Sequence, residues 1–440
     1  MNKIVVLGAG ESGVGAALLG KKIGAEVWVS DAGKIQEKYR NILTENEIPF
    51  EEGKHTIESF FDATVIIKSP GIPSKVPVIQ ALKEAGKEII SEIEFASRHT
   101  DTPIIAITGS NGKTTTTAWI HHLLVTGGIN AALGGNIGKS FAGLVAEGVE
   151  CEVFVLEISS FQLDDIVQFR PDIAVLTNIT ADHLDRYDYS MEKYAAAKFR
   201  IAMNQRPEDA FVYYPADMVT QGELWKHQIK ASRLGFALEQ RPDVLIWVKE
   251  NQMVAGYKFE LPIAELGLKG PHNVLNAMAA TLVAKRMKVS DEAIIKGLKD
   301  FQAIEHRMEP VATINDVLYI NDSKATNIDS VIYSLKSVEG PIVWIAGGLD
   351  KGNDYSLLDT SAVKALVILG PNKDKLKATY QDQMMISEAE NMAQAIEQAT
   401  AFATAGDTVL LAPACSSFDI FQNFEDRGRQ FKAEVLKMSK

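Results

Sequence analysis

Lys113 and Thr114 suggest phosphate chemistry, because they belong to the segment TGSNGKTT at residues 108–115. The apolar run PIIAI precedes this segment, and a helix-like stretch follows it. Backbone amides in such a turn can hold phosphates, the lysine can reach the outer phosphates, and the threonine hydroxyl can bind Mg²⁺. The general motif would need a glycine where this chain has Ile107, so the loop is a shortened variant. We predict a nucleoside triphosphate site, and the alternative is a turn without function.

Acidic and imidazole side chains follow two later apolar strands. Glu157 ends the run EVFVLE, while Asp182, His183 and Asp185 follow DIAVLTNI. Because parallel strands end at one edge of a sheet, these groups can meet the phosphate loop and help to hold Mg²⁺. The structural alternative is a strand-end acid and a helix-capping aspartate. From the residues alone, Lys198 in YAAAKFR would be a solvated or salt-bridged lysine.

A second glycine-rich turn lies near the N-terminus. Gly8, Gly10 and Gly13 join the strand IVVL to a helix, and Asp31 ends the next strand. This matches the dinucleotide fingerprint, in which glycines admit a pyrophosphate and the acid binds a ribose hydroxyl. We expect an anion site here rather than a purely structural turn.

Three polar clusters follow strands in the last third of the chain, in INDSKATN, WIAGGLDKG and APACSSFD. Together they predict one crevice at the edge of a sheet, although capping and turn chemistry could explain any single cluster. Cys415 is expected to be a small buried residue, because no histidine is spaced to activate it. The clusters include Asp322, Lys324, Thr326, Lys351, Ser417 and Phe418.

The elements that must position these groups alternate between apolar strands and helices in three blocks. We therefore predict an α/β protein with three domains. They are a Rossmann-like N-terminal domain at 1–95, a central P-loop-type ATPase domain at 96–300, and a Rossmann-like C-terminal domain at 301–440. The pattern weakens between about 210 and 265, where LIWVKENQMVAGYKF predicts a hairpin within an antiparallel annex.

The composition excludes several classes of function. With 57 acidic and 45 basic residues the net charge is -12, which argues against nucleic acid and membranes as partners and favours small anionic ligands. The 2 cysteines, Cys151 and Cys415, form no metal-binding or disulfide pattern. No apolar run approaches the ~20 residues that span a bilayer, so we expect a cytoplasmic protein, acting as a monomer.

Taken together, these motifs resemble the Mur ligase family. The resemblance rests on TGSNGKTT, GGNIG, LEISSFQL, NITADHLDRY, the lysine of YAAAKFR, GPHNVLNAMAA, EHRME, NDSKATN, GGLDKG and PACSSFDIFQNFEDRG. It implies one domain each for a UDP-sugar, ATP and an amino acid, and ATP-dependent amide formation through an acyl phosphate. SSFQL and NDSKATN favour the addition of D-glutamate to UDP-N-acetylmuramoyl-L-alanine, a precursor of peptidoglycan.

The resemblance also implies roles for individual residues. The expected catalytic residues are Lys113, Glu157, His183 and Lys198. Two Mg²⁺ ions are implied, one served by Thr114 and Glu157 and the other by His183 and Lys198, with Lys198 carbamylated by CO₂. The residues implied in ATP binding are Gly109, Ser110, Asn111, Gly112, Lys113, Thr114, Thr115, Asn273, Asn276, Arg307, Asp322 and Lys324.

The two remaining substrates have their own implied residues. The residues implied in UDP-sugar binding are Gly10, Ser12, Asp31, Ser69, Gly71 and Asn136. The residues implied in D-glutamate binding are Thr326, Lys351, Ser417, Phe418 and Phe424. Ala32 and Gly33 follow Asp31 where some members carry a basic or hydroxyl side chain, so the resemblance assigns no uracil contact there.

Four other functions remain as alternatives. Another Mur ligase would add a different amino acid, and a folylpolyglutamate-type ligase would lack the N-terminal glycine-rich domain. An NAD-dependent oxidoreductase would use that first domain alone. A P-loop switch or motor would hydrolyse ATP without a sugar nucleotide.

Overall fold

The computed structural model describes residues 3–256, 258–302, 305–350, 353–371, 373–417 and 419–438. The chain forms two compact units. The first extends to Leu266 and includes Asn273–Asp300, and the second comprises Gly267–His272 and the chain from Phe301 onward. Three sheets with flanking helices confirm the predicted α/β class. Within the described ranges, no helix is long and apolar enough to cross a membrane.

The N-terminal sheet has five parallel strands in the order β3-β2-β1-β4-β5. β1 lies between β2 and β4, and its apolar residues are buried. The strand order reverses beside β1, which opens a crevice at the strand ends. The strands are β1 Lys3–Leu7, β2 Glu26–Asp31, β3 Phe50–Glu52, β4 Val65–Lys68 and β5 Ile89–Ser91. The helices are α1 Glu11–Lys22, α2 Glu37–Glu45, α3 Pro77–Glu84 and α4 Glu92–Ser97, with a 3₁₀ turn at Ile57–Phe60.

The central sheet has nine strands in the order β14-β13-β12-β11-β10-β9-β6-β8-β7. The strands are β6 Ile104–Thr108, β7 Ala131–Gly135, β8 Val153–Glu157, β9 Ile173–Leu176, β10 Ala210–Tyr213, β11 Ser232–Phe236, β12 Val244–Lys249, β13 Gln252–Ala255 and β14 Phe259–Pro262. The helices are α5 Lys113–Thr126, α6 Phe141–Glu147, α7 Ser160–Leu163, α8 Met191–Phe199, α9 Met218–Leu224, α10 Pro271–Arg286 and α11 Asp291–Asp300. The 3₁₀ turns are Leu184–Tyr187, Arg200–Ala202 and Ile263–Glu265.

The antiparallel annex expected between about 210 and 265 is smaller than the sequence suggested. β10, β11 and β12 continue the parallel sheet, and only β13 and β14 are antiparallel. The predicted hairpin joins β12 to β13 through Glu250 and Asn251, whose φ values are 51° and 60°. β12 alternates between buried and more exposed residues, because one of its faces is less covered. A half-covered parallel strand therefore gives the alternation that is typical of antiparallel ones.

The C-terminal sheet has the order β15-β16-β20-β17-β18-β19, and β15 alone is antiparallel to its neighbour. Since β16, β20 and β17 are adjacent, the three polar clusters follow neighbouring strands. The strands are β15 Glu309–Ile314, β16 Val317–Asn321, β17 Ile342–Ala346, β18 Val363–Leu369, β19 Met385–Ala389 and β20 Thr408–Leu411. The helices are α12 Ile328–Lys336, α13 Lys373–Tyr380, α14 Met392–Phe402 and α15 Phe424–Lys437, with a 3₁₀ turn at Tyr355–Leu357.

Within the first unit, α4 joins the N-terminal sheet to the central one. Glu92 Oε1 accepts a hydrogen bond from the Ala142 amide at 2.5 Å, at the start of α6. Glu94 Oε2 accepts from the three successive backbone amides of residues 167–169, at 2.9, 2.9 and 2.7 Å. Residues 95 and 96, where the sequence suggested a boundary, lie inside this helix. The three-domain limits stay a prediction.

Candidate functional site

The phosphate loop connects β6 to α5 and strongly favours glycine at two positions. Gly109 and Gly112 have φ values of 148° and 81°. A Cβ atom on Gly109 would lie 1.9 Å from Thr177 Oγ1, and one on Gly112 would lie 2.5 Å from Asn276 Oδ1. The loop ends at the N-terminus of α5, which begins at Lys113, so helix amides and the helix dipole face the position for phosphate.

The residues after β9 hold the loop in place. The Ser110 amide donates to Asn178 O at 2.9 Å, and the Asn111 amide donates to Asn178 Oδ1 at 3.0 Å. Thr177 Oγ1 donates to Asn111 O at 2.6 Å. β6 and β9 are neighbours, so these contacts follow from the sheet order. These hydrogen bonds therefore preorganise the loop.

Lys113 and Lys198 share a backbone acceptor in this loop. Lys113 Nζ donates to Gly109 O and Ser110 O, both at 2.8 Å. Lys198 Nζ donates to the same Gly109 oxygen, also at 2.8 Å. Burial and then the positive charge of Lys113 lower the pKa of Lys198 well below its ordinary value. The amine of Lys198 is thereby favoured in its neutral form.

The expectation from the residues alone that Lys198 is a solvated lysine is wrong. Its side chain is 2% exposed and lies over the Tyr194 ring, 4.4 Å from the centroid. The alanines of YAAAKFR allow this, because small side chains let α8 pack closely and carry Lys198 inward.

Glu157 and Asn136 lie together at the ends of β8 and β7. Glu157 pairs in register with Ile107 of β6 and with Gly135 of β7. The Asn136 side chain donates to Glu157 Oε1 at 2.8 Å, and its backbone amide donates to Glu157 O at 2.8 Å. Asn136, which is expected at the sugar nucleotide, thus contacts Glu157, which is expected at the metal.

His183 occupies an uncommon backbone conformation, with φ of 52°, and precedes the 3₁₀ turn Leu184–Tyr187. Its Nε2 lies 3.5 Å from Asp182 Oδ2, and its ring meets the edge of Phe161 at 5.2 Å between centroids. Within the described ranges, no group of three or more His, Cys, Asp or Glu side chains could hold a metal ion. Thr114 and Glu157, expected at a Mg²⁺, carry the oxygen ligands that Mg²⁺ binds, and Mg²⁺ commonly takes its other ligands from phosphates and water.

Asn273 and Asn276 lie one turn apart on α10 and are both buried. Asn276 Nδ2 donates to Asn273 Oδ1 at 3.2 Å, and Asn276 Oδ1 accepts from Thr116 Oγ1 at 3.2 Å. The pair therefore contacts the first turn of α5, beside the loop.

A cavity of about 430 Å³ lies at the ends of β1, β2 and β4, where the N-terminal sheet reverses its strand order. Gly8, Asp31 and Gly71 line it. A Cβ atom on Gly8 would lie 2.7 Å from Ser69 Oγ, which fixes the close approach of the two turns. Three of the residues expected around the UDP-sugar, namely Asp31, Ser69 and Gly71, are therefore gathered at this cavity.

Asp31 supports the glycine turn as well as lining the cavity. Its two carboxylate oxygens accept from the Ala9 and Gly33 amides at 2.7 and 2.8 Å. A Cβ atom on Gly10 would meet no other atom within 4 Å, and Ser12 lies in the first turn of α1. His55 also lines the cavity, and its Nδ1 lies 2.7 Å from Ser30 Oγ. Sequence reasoning missed His55, because no motif marks it.

In the second unit, Asp322 is buried at the end of β16. Its carboxylate accepts from the Ser334 hydroxyl and from the Met308 amide. Burial raises the pKa of Asp322, while the nearby charge of Arg307 lowers it to a smaller extent. Lys324 Nζ lies 3.6 Å from the centroid of the Phe424 ring, a cation–π contact between two predicted site residues.

The ends of β17 and β20 are joined in the second unit by backbone hydrogen bonds between Leu349 and Ser416, at 3.0 and 3.1 Å. Ser417 is buried beside them. Burial raises the pKa of Cys415 to about 11, and its sulfur lies 3.0 Å from the Tyr355 hydroxyl, which agrees with a small buried residue. Thr326 follows β16 at the neighbouring strand end, whereas Lys351 and Phe418 lie outside the described residues.

Three family models match this chain. The Mur ligase middle domain matches residues 107–284, and the Mur ligase glutamate ligase domain matches residues 306–415. The MurD N-terminal domain matches residues 3–78. The three matched ranges correspond in order to the N-terminal, central and C-terminal sheets.

Similar proteins extend over the whole chain. A UDP-N-acetylmuramoylalanine--D-glutamate ligase of Christiangramia forsetii is 49% identical over 443 residues, 99% of each chain. Proteins of the same name from Porphyromonas gingivalis and Bacteroides fragilis are 48% and 47% identical. They cover 99% and 100% of this chain, and the matches cover 98% and 100% of their own lengths.

Solved structures share the fold. A UDP-N-acetylmuramate-alanine ligase of Thermotoga maritima has a TM-score of 0.64 at 20% identity, covering 100% of both chains. The MurF ligase of Thermotoga maritima in complex with ADP has a TM-score of 0.58 at 16% identity, covering 93% of this chain and 95% of its own.

Proposed function

The chain belongs to the Mur ligase family, and from this membership we propose that it is an ATP-dependent ligase joining D-glutamate to UDP-N-acetylmuramoyl-L-alanine. The structural observation that carries the proposal is the preorganised phosphate loop with Lys113 and the buried Lys198 on one carbonyl oxygen. The D-glutamate-adding member is favoured over its relatives by full-length similarity to ligases of that name.

The reaction requires two anions to approach each other. The L-alanyl carboxylate attacks the terminal phosphorus of ATP, and the bond to the bridging oxygen of ADP breaks, giving an acyl phosphate. Lys113 would move from the carbonyls of Gly109 and Ser110 to the outer phosphates and neutralise their charge. The amine of D-glutamate then attacks the acyl carbon, loses a proton, and inorganic phosphate leaves.

The family uses ATP with Mg²⁺. The Mg²⁺ ion would neutralise part of the negative charge on the phosphates. Thr114 and Glu157 would hold one ion, while His183 and Lys198 would serve a second. Lys198 has the property that carbamylation needs, because only a neutral amine adds CO₂ and burial lowers the pKa of Lys198. In that step the nitrogen bonds to carbon, a proton leaves, and a carboxylate-like group results.

The three substrates have separate proposed sites. The 430 Å³ cavity would hold the UDP part through Gly10, Ser12, Asp31, Ser69 and Gly71, with Asn136 near the reacting end. ATP would contact the loop 109–115, the Asn273–Asn276 pair, and Arg307, Asp322 and Lys324. D-glutamate would take the cluster Thr326, Lys351, Ser417, Phe418 and Phe424, where a cation and hydroxyls suit two carboxylates. We further propose that the enzyme is a cytoplasmic monomer.

Phosphate release tests the proposal. Purified protein is given Mg-ATP and UDP-N-acetylmuramoyl-L-alanine with D-glutamate, L-glutamate, L-lysine or diaminopimelate in turn. Release with D-glutamate alone is the expected result. Preference for another amino acid would indicate another Mur ligase, and equal release without any amino acid would contradict a ligase.

A further inference from the structure

The wall of the sugar-nucleotide cavity is tied to the segment that follows α7. We call residues 69–73 the cavity loop, since Gly71, Ile72 and Pro73 line the cavity. Lys68 Nζ, on a side chain 2% exposed, donates to Ile72 O at 2.9 Å and pairs with Asp165 Oδ2 at 2.9 Å. The loop is thus held by a buried ion pair between β4 and the segment after α7.

Arg186 holds the same loop from the other side. Its two terminal nitrogens donate to the carbonyls of Pro70 at 3.3 Å and Gly71 at 3.4 Å. Arg186 lies in the 3₁₀ turn that begins after His183, and its amide donates to His183 O at 3.1 Å. One short turn therefore touches the cavity loop and carries His183.

The guanidinium of Arg186 also packs on Phe161. The carbon of the guanidinium lies 4.4 Å from the centroid of the Phe161 ring, within cation–π distance. The same ring meets the imidazole of His183 edge-on at 5.2 Å and stacks on Tyr187 at 6.0 Å between centroids. Movement of the cavity loop would consequently displace Arg186, and with it the ring that orients His183.

His183 has a backbone that can respond to such a displacement. A non-glycine residue at φ of 52° is held in a sparsely populated region, so its surroundings must keep it there. The ring of Phe161 and the backbone amide of Arg186, which donates to His183 O, supply part of these surroundings.

We propose that Arg186 is a positioning residue that couples occupancy of the sugar-nucleotide cavity to the orientation of His183. When the cavity is filled, the cavity loop, Arg186 and Phe161 hold His183 ready for the Mg-nucleotide. Because coupling is reciprocal, Mg-nucleotide would tighten the binding of the sugar nucleotide by the same factor. The identity of the two ligands rests on the proposed function.

Calorimetry measures this coupling directly. The Kd of UDP-N-acetylmuramoyl-L-alanine is determined with and without Mg²⁺ and a non-hydrolysable ATP analogue. In the wild type we expect the nucleotide to lower this Kd by about fivefold or more. In Arg186→Gln and in Phe161→Leu the ratio should approach one, while the Kd without nucleotide changes by less than about threefold. A wild-type ratio of one, or an unchanged ratio in Arg186→Gln, would overturn the proposal.

Lys75→Met is the matched control. Lys75 pairs with Asp188 and so joins the same two segments, but this exposed pair makes no hydrogen bond or ring contact with Phe161 within the described ranges. We expect this variant to keep the wild-type ratio of Kd values. A ratio near one in Lys75→Met would mean that weakening any contact between the two segments removes the coupling, and that Arg186 has no special part in it. Phosphate release by the wild type is measured alongside. If D-glutamate elicits none, the proposed function fails, whereas normal release with an unchanged ratio in Arg186→Gln refutes only the coupling.

Discussion

At the scale of single residues, the environment decides what a lysine can do. Lys113 and Lys198 have the same side chain and reach the same carbonyl oxygen, but Lys198 is fully buried and its pKa is lowered. Lys113, at the start of α5, is the one expected to meet phosphates, while the lowered pKa of Lys198 favours its neutral amine. The sequence distinguishes the two only through the loop motif and the resemblance.

Lys113→Ala should abolish turnover and leave the binding of the sugar nucleotide intact. We expect phosphate release to fall by about 10³-fold or more, because the charge that meets the outer phosphates is lost. The Kd for UDP-N-acetylmuramoyl-L-alanine alone, measured by calorimetry, should stay near the wild-type value. A large loss of sugar-nucleotide binding would contradict the assignment of the two sites.

Gly112→Ala tests the shape of the phosphate loop. Because φ is 81° and the new Cβ would lie 2.5 Å from Asn276 Oδ1, we expect a loss of about 1–3 kcal/mol in the free energy of unfolding, with weaker ATP binding. Gly10→Ala is the stability control, since φ there is -83° and a Cβ would meet no atom within 4 Å. Urea denaturation of both variants makes the comparison, and equal stability would show that the loop tolerates a side chain at residue 112.

At the scale of elements, the sequence predicts strands that are long and apolar and misses those that are short. β1, β6, β8 and β17 were readable because both of their faces are buried, which gives continuous apolar runs. β3 and β5 have three residues each, too few to show any period. The positions of Glu157 and Asp322 could be predicted because both lie at strand ends. The burial of Lys198 and the position of His55 at the cavity depend on packing between distant segments, which no sequence motif indicates.

Helix α4 makes stability depend on pH through Glu92. Burial raises the pKa of Glu92 to about 8, so between pH 4.5 and 8 the folded protein retains a proton that the unfolded chain has lost. The free energy of unfolding should therefore decrease as pH rises through this window, by at most about 1.4 kcal/mol per pH unit. In Glu92→Gln, which stays neutral, the decrease should be smaller.

Urea titrations at several pH values measure this effect. Glu88→Gln is the control. Glu88 lies just before α4, is more exposed than Glu92, and pairs with Arg98. It should keep the wild-type pH dependence. An unchanged slope in Glu92→Gln would mean that Glu92 does not carry the proton.

At the scale of the whole molecule, the first unit is held together by buried polar contacts between sheets. Lys68 and Asp165 are 2% and 9% exposed and connect the N-terminal sheet to the segment after α7. Removing one partner leaves the other charge buried, so Lys68→Met should cost about 3–5 kcal/mol of unfolding free energy. The double variant Lys68→Met with Asp165→Leu should recover much of this loss, as urea denaturation would show. A double variant no more stable than Lys68→Met would mean that the pair does not act as a unit.

The oxygen of Gly109 accepts from both Lys113 and Lys198, and this has a genetic consequence. After burial, the positive charge of Lys113 is the next cause that lowers the pKa of Lys198, so a substitution at Lys113 changes the chemistry of Lys198. Effects of mutations at these sites should show strong epistasis, and the defect of Lys113→Ala will include a rise in the basicity of Lys198. A second substitution at Lys198 should then cost less in that background than in the wild type.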